Sequence, residues 1–223
     1  MENYTNERIE WSRVWREDSD KVLPRVLLIG DSIVDGSKHC IYDRLKKDGF
    51  TSSAYITSKG INHPFYFREI EMVCAQEDYN YKAVYLQYGG HSGLQIREEC
   101  RKNYENLLVD LSKMLPDTPI IAGSFTPWRK GNGREGEHDT PVTTRGGVAE
   151  NNRFISELRE DIIDIIEKNE LGIDLHFFDA YSLMLDHNEK KCPDGVHYLP
   201  EGYYVLGTAI AEKIIEVIKS KGE

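Results

Sequence analysis

The sequence predicts an α/β fold in which a parallel sheet is covered by helices on both faces. Three observations point there. Short, mostly apolar stretches recur along the chain, as strands buried on both faces tend to read. Stretches with apolar residues at helical spacing separate them. A chain of 223 residues with 39% hydrophobic content suits one large α/β domain better than two small ones. Strand–helix alternation of this kind forms a sheet sandwiched between helices. Such sheets bind ligands at the carboxyl ends of their strands.

In chain order, residues 1–223 read as one domain, with 1–24 an N-terminal extension packed on it. Trp11 and Trp15 stand four apart, the spacing of an N-terminal helix stapled onto the domain. Val26-Leu27-Leu28-Ile29 is the first strand and Ala54-Tyr55-Ile56 a weaker second. Ala83-Val84-Tyr85-Leu86, Pro119-Ile120-Ile121-Ala122 and Leu175-His176-Phe177-Phe178 complete a five-stranded sheet. Helices are predicted over 40–47, closed by Gly49, and over 65–75. A third covers 96–114, closed by Pro116. A fourth covers 148–168, with Ile155, Leu158, Ile162, Ile165 and Ile166 on one face. The last opens at Pro200, a favoured first-turn residue, and buries Val205, Leu206, Ile210, Ile214, Val217 and Ile218. The stretch 128–143 holds Gly131, Gly133, Gly136 and Pro141 and is long for a plain connection. A functional loop and a disordered tract both suit it.

The charge balance narrows the partners. Lys and Arg number 28 against 38 Asp and Glu, a net charge of −10. That argues against nucleic acid or an anionic membrane as the main partner, and leaves a neutral small molecule open. The first residues are polar and acidic, with no signal-peptide pattern, and no apolar run would span a bilayer. The expectation is a cytoplasmic protein whose oligomeric state the sequence leaves undetermined. Cys40, Cys74, Cys100 and Cys192 are widely spaced and form no zinc-type cluster, so reduced thiols and no metal are expected.

The chemistry concentrates at the two ends of the chain. The first apolar strand stops at Gly30-Asp31-Ser32, where a serine hydroxyl can stand at the carboxyl edge of the sheet. Serine is a poor nucleophile at neutral pH unless a histidine takes its proton and a carboxylate holds that histidine. Asp194-Gly195-Val196-His197 supplies both, three residues apart. Each piece alone suits an ordinary turn; the pair at opposite ends of one α/β domain is far more specific.

On Gly30-Asp31-Ser32-Ile33, Asp194-Gly195-Val196-His197 and the continuation Tyr198-Leu199-Pro200-Glu201-Gly202-Tyr203, the chain resembles the SGNH/GDSL hydrolase family. The resemblance implies a flavodoxin-like, three-layer α/β/α sandwich and ester hydrolysis through an acyl-serine, with no cofactor. It implies Ser32 as nucleophile, His197 as general base and acid, and Asp194 as the orienting carboxylate. The family's oxyanion hole uses the nucleophile's N–H, a glycine N–H and an Asn side chain. Gly60, after the second strand, matches the glycine. After the third strand the sequence reads Gln87-Tyr88-Gly89-Gly90-His91, with His91 where the family has Asn. A neutral imidazole can donate one hydrogen bond, so His91 can replace that Asn, and Asn62 is an alternative amide donor. Asp31, Asn62 and Trp128 are read as substrate-facing.

The favoured substrate is a short acyl ester, acetyl above all, on a carbohydrate or similar polar molecule. A thioesterase or lysophospholipase of the same fold is the alternative enzyme. A catalytically silent ligand-binding module is the alternative of another class; the Ser32, Asp194 and His197 set argues against it.

Overall fold

The computed structural model describes residues 10–17, 23–88, 90–91, 96–129 and 147–221. The chain runs β1 (Ser12–Arg16), β2 (Arg25–Gly30), α1 (Ser32–Lys47), β3 (Thr51–Thr57), α2 (Tyr66–Ala75), β4 (Ala83–Gln87) and α3 (Arg97–Met114). It continues through β5 (Ile120–Gly123), α4 (Val148–Lys168), β6 (Leu175–Phe178), α5 (Ala180–Leu185), a 3₁₀ turn (Asn188–Lys190) and α6 (Pro200–Ser220). Among the described residues, no helix is long and apolar enough to cross a membrane.

Among the described residues, one sheet of six strands has the order β1-β3-β2-β4-β5-β6. The five predicted strands are β2 to β6, and all their pairings are parallel. The five-stranded parallel sheet is thus corrected to a six-stranded mixed one. The added strand, β1, pairs antiparallel with β3, with Trp15 opposite Ala54. It comes from residues whose tryptophan spacing suggested a helix. Trp15 does staple the segment, but from a strand: its ring meets His39 and Tyr42 of α1 edge-on at 5.3 and 6.3 Å.

Alternating side chains of β2 feed two cores, as the pleat requires. Leu27 and Ile29 join the core under α2, α3 and α4. Val26 and Leu28 join the core under α1, α5 and α6. The two faces are therefore both covered, and most of the inner strands read as apolar runs.

Two local features set the position of α1. It starts at Ser32, well before the predicted residue 40, because Asp31 caps it: the carboxylate accepts the Ile33 N–H at 2.9 Å. Gly36 lies mid-helix because Tyr203 of α6 packs directly on it; a Cβ there would overlap the ring. Strand β2 lies between β3 and β4, where the chain leaves to one side of the sheet and later continues on the other. That is the switch point at which α/β sheets open a crevice. Ser32 stands there.

Candidate active site

Ser32 is the first residue of α1, directly beyond the carboxyl end of β2, and is half-buried. At this position its N–H is one of the unpaired donors at the positive end of a helix. Its Oγ lies 2.8 Å from His197 Nε2. His197 Nδ1 lies 2.7 Å from Asp194 Oδ2. An ionised carboxylate only accepts, so Nδ1 carries a proton, and in the neutral ring Nε2 is left to accept the Ser32 O–H.

The Asp-Gly-Val-His sequence makes this geometry locally. Gly195 adopts φ +77°, in the left-handed region that glycine enters without strain. The resulting turn brings two N–H groups onto Asp194 Oδ1, from Val196 at 2.8 Å and His197 at 2.9 Å. Burial alone would raise the Asp194 carboxyl. The hydrogen bonds from the His197 ring and from the two backbone N–H groups outweigh it and hold the group below the ordinary carboxylate range.

The turn is tied down on both sides. The Cys192 N–H donates to the His197 carbonyl at 2.8 Å, and the Leu199 N–H to the Lys190 carbonyl at 2.7 Å. The Arg129 N–H, from the segment after β5, donates to the Gly195 carbonyl at 2.8 Å. That segment is itself fixed by Asn152 of α4, which bonds the Trp128 N–H and carbonyl at 2.7 and 2.8 Å. Trp128 is thus half-buried beside the turn, with its ring against the core under α1, α5 and α6.

The remaining candidates share this sheet edge. Gly30 of β2 pairs with Ile56 of β3, so Gly60 and Asn62 follow the strand that neighbours Ser32. Gly60 is buried and Asn62 half-buried. On the other side Ile29 pairs with Leu86 of β4, and His91 follows that strand. His91 Nε2 lies 4.0 Å from Asp31 Oδ2. A Cβ at Gly90 would overlap the Asp31 carboxylate and the Phe125 ring, so this turn packs closely against the start of α1. Asp31 is buried, with one carboxylate oxygen capping α1 and the other turned toward His91. Gly89, Ser92, Gly93 and 130–143 lie outside the described residues.

Arg129, Asn152 and Lys191 support the turn, and no motif in the sequence singles them out. Lys191 follows Lys190 and reads as half of a solvated charge pair. Asn152 reads as a polar position on an amphipathic helix.

No protein-family model matches the chain, and no curated protein matches it. Its fold is that of the SGNH/GDSL hydrolases, as solved structures show. A lipase/acylhydrolase from Enterococcus faecalis superposes with a TM-score of 0.62 at 16% identity, covering 87% of this chain and 97% of that one. An acetylxylan esterase from Geobacillus stearothermophilus gives 0.62 at 14% identity, covering 87% and 96%. The catalytic domain of a Streptococcus pneumoniae peptidoglycan O-acetyltransferase gives 0.56 at 17% identity, covering 89% and 96%.

Proposed function

We propose that the protein is an SGNH-type serine esterase that removes short acyl groups, acetyl above all, from a carbohydrate or similar polar ester. The observation that carries this reading is the continuous hydrogen-bonded path from Ser32 through His197 to Asp194, at 2.8 and 2.7 Å. A hydroxyl bonded to a held imidazole is what acyl transfer to serine requires.

In the proposed reaction, Ser32 Oγ attacks the ester carbonyl while its proton passes to His197 Nε2. Asp194 stays ionised and stabilises the imidazolium. The low position of its carboxyl supports that role. The oxyanion is received by the N–H groups of Ser32 and Gly60 and by the His91 ring, with Asp31 behind it. Collapse expels the alcohol, which takes the proton from His197. Water then attacks the acyl-serine, gives its proton to His197, and the carboxylic acid leaves as Ser32 recovers its hydrogen. Asn62 and Trp128 border the path by which the polar alcohol portion reaches this edge.

The acetyl preference draws on the acetylxylan esterase and the O-acetyltransferase among the structural neighbours. The test compares p-nitrophenyl acetate with the octanoate, and follows acetate release from acetylated xylo-oligosaccharides. The acetate ester should be turned over with the higher kcat/KM, and Ser32→Ala should abolish both. A preference for octanoate would favour the lysophospholipase-like alternative. No turnover and no acyl-serine would favour the silent module.

A further inference from the structure

Lys191 is only 2% exposed. Lysines ordinarily bury their stem and keep the ammonium in water. Here the head is enclosed as well. Its Nζ donates to the Val196 carbonyl at 2.8 Å and sits 3.6 Å from the centre of the Tyr198 ring. The Lys191 and Tyr198 backbones form an antiparallel bridge, which closes the turn containing Asp194 and His197. One side chain therefore crosses the inside of that turn and grips the carbonyl directly before His197. The charged and titratable groups facing it are Asp194 and Cys192 from the same turn, Arg129 from the segment after β5, and the Tyr198 ring.

An enclosed ammonium is costly, and a methionine of similar shape would fill the space without that cost. Burial pushes the Lys191 ammonium down to about 7, with Asp194 opposing the shift. The turn is thus built around a cation held at the edge of losing its proton.

We propose that Lys191 is a positioning residue for His197: bonded to the Val196 carbonyl and seated on Tyr198, it fixes the turn whose N–H groups hold Asp194. The inference rests on the Ser32–His197–Asp194 reading of the reaction. Lys191 touches none of the reacting atoms. Its charge strengthens both the bond to the carbonyl and the contact with the ring, so the grip loosens as the ammonium deprotonates.

The test is Lys191→Met, with Lys191→Arg as the charge-keeping variant. For p-nitrophenyl acetate, Lys191→Met should lower kcat by about 10²-fold, the scale of a displaced catalytic group, with KM little changed. The wild-type kcat profile should carry an alkaline limb that is absent from both variants, and Lys191→Arg should recover part of the lost kcat. The His197 ring signals in nuclear magnetic resonance should shift in Lys191→Met and return toward wild type in Lys191→Arg. Wild-type kcat in Lys191→Met, or an alkaline limb unchanged in it, would overturn the proposal. If Lys191→Met does not fold, Tyr198→Leu decides: losing the ring must shift the limb, and an unmoved limb overturns the proposal. A wild type with no esterase activity and no labelling of Ser32 refutes the esterase reading instead. The His197 signals still decide the part played by Lys191 in that case.

Discussion

Ser32, His197 and Asp194 carry unequal weights in the proposed reaction. Ser32→Ala removes the attacking atom and should lower kcat by on the order of 10⁴ or more with the melting temperature little changed. His197→Ala should be nearly as damaging. Asp194→Ala should be milder, because the carboxylate orients the ring and exchanges no proton. His91 offers a sharper residue-scale test, because the proposed reaction gives its ring the part of a side-chain oxyanion donor. His91→Ala should cost roughly 10²–10³ in kcat with KM little changed, the loss of one oxyanion donor. His91→Asn should recover part of it, and an unimpaired alanine variant would leave the oxyanion to backbone donors or Asn62. Ser32, Asp194 and His197 stand out as candidates because each sits in a short motif whose chemistry needs that side chain, whereas His91 stands out by departing from one. Lys191 does not: nothing in Lys190-Lys191 distinguishes a solvated lysine from an enclosed one until Tyr198 folds back over it.

At the scale of elements, the contact of α6 on α1 places His197 over Ser32. Tyr203 packs directly against Gly36, one turn along the helix that Ser32 begins. Gly36→Ala should therefore cost about 1–3 kcal/mol in chemical denaturation, the usual penalty of overpacking. It should also lower kcat, because the displaced ring is close in sequence to His197; a variant with wild-type stability and rate would refute this registration. The same glycine explains why the start of α1 was misread. A glycine following Ile33, Val34 and Asp35 punctuates a helical pattern, whereas here it is the point of closest approach between two helices. Strand β1 was missed for another reason. It is an edge strand with four of its five residues exposed, so it lacks the apolar run by which the inner strands were found. Trp15 within it and Trp11 just before it, four apart, also suited a helix. The inner strands were legible because burial on both faces demands such a run. Even β3 shows the limit: Thr51, Ser52 and Ser53 are buried polar residues, and only its later half looks like a strand.

For the whole molecule, the residues of the proposed acyl transfer lie beyond the carboxyl end of the sheet, and two charges of the turn that carries His197 tie stability to pH. Lys191 falls from its ordinary 10.5 to about 7 on folding. Between those values the unfolded chain holds a proton that the folded chain lacks, so the Lys191 contribution to stability rises with pH across that window. Asp194 moves the opposite way on the acid side. Its carboxyl is held below the ordinary 3.8, so its contribution is present above that value and is lost as pH falls through the folded one. Urea midpoints measured from pH 7 to 10 should rise for the wild type relative to Lys191→Met. Parallel curves would show that the Lys191 ammonium is not enclosed as the fold has it.

The central claim is that Ser32 becomes acylated, and trapping the intermediate tests it most directly. Protein mixed with p-nitrophenyl acetate, quenched in acid within the first turnovers and digested, should carry one acetyl group on the peptide containing Ser32. That peptide should be unmodified in Ser32→Ala, and a serine-directed phosphonate should block the acetylation. Acetyl found on another residue, or ester turnover undiminished in Ser32→Ala, would contradict the account.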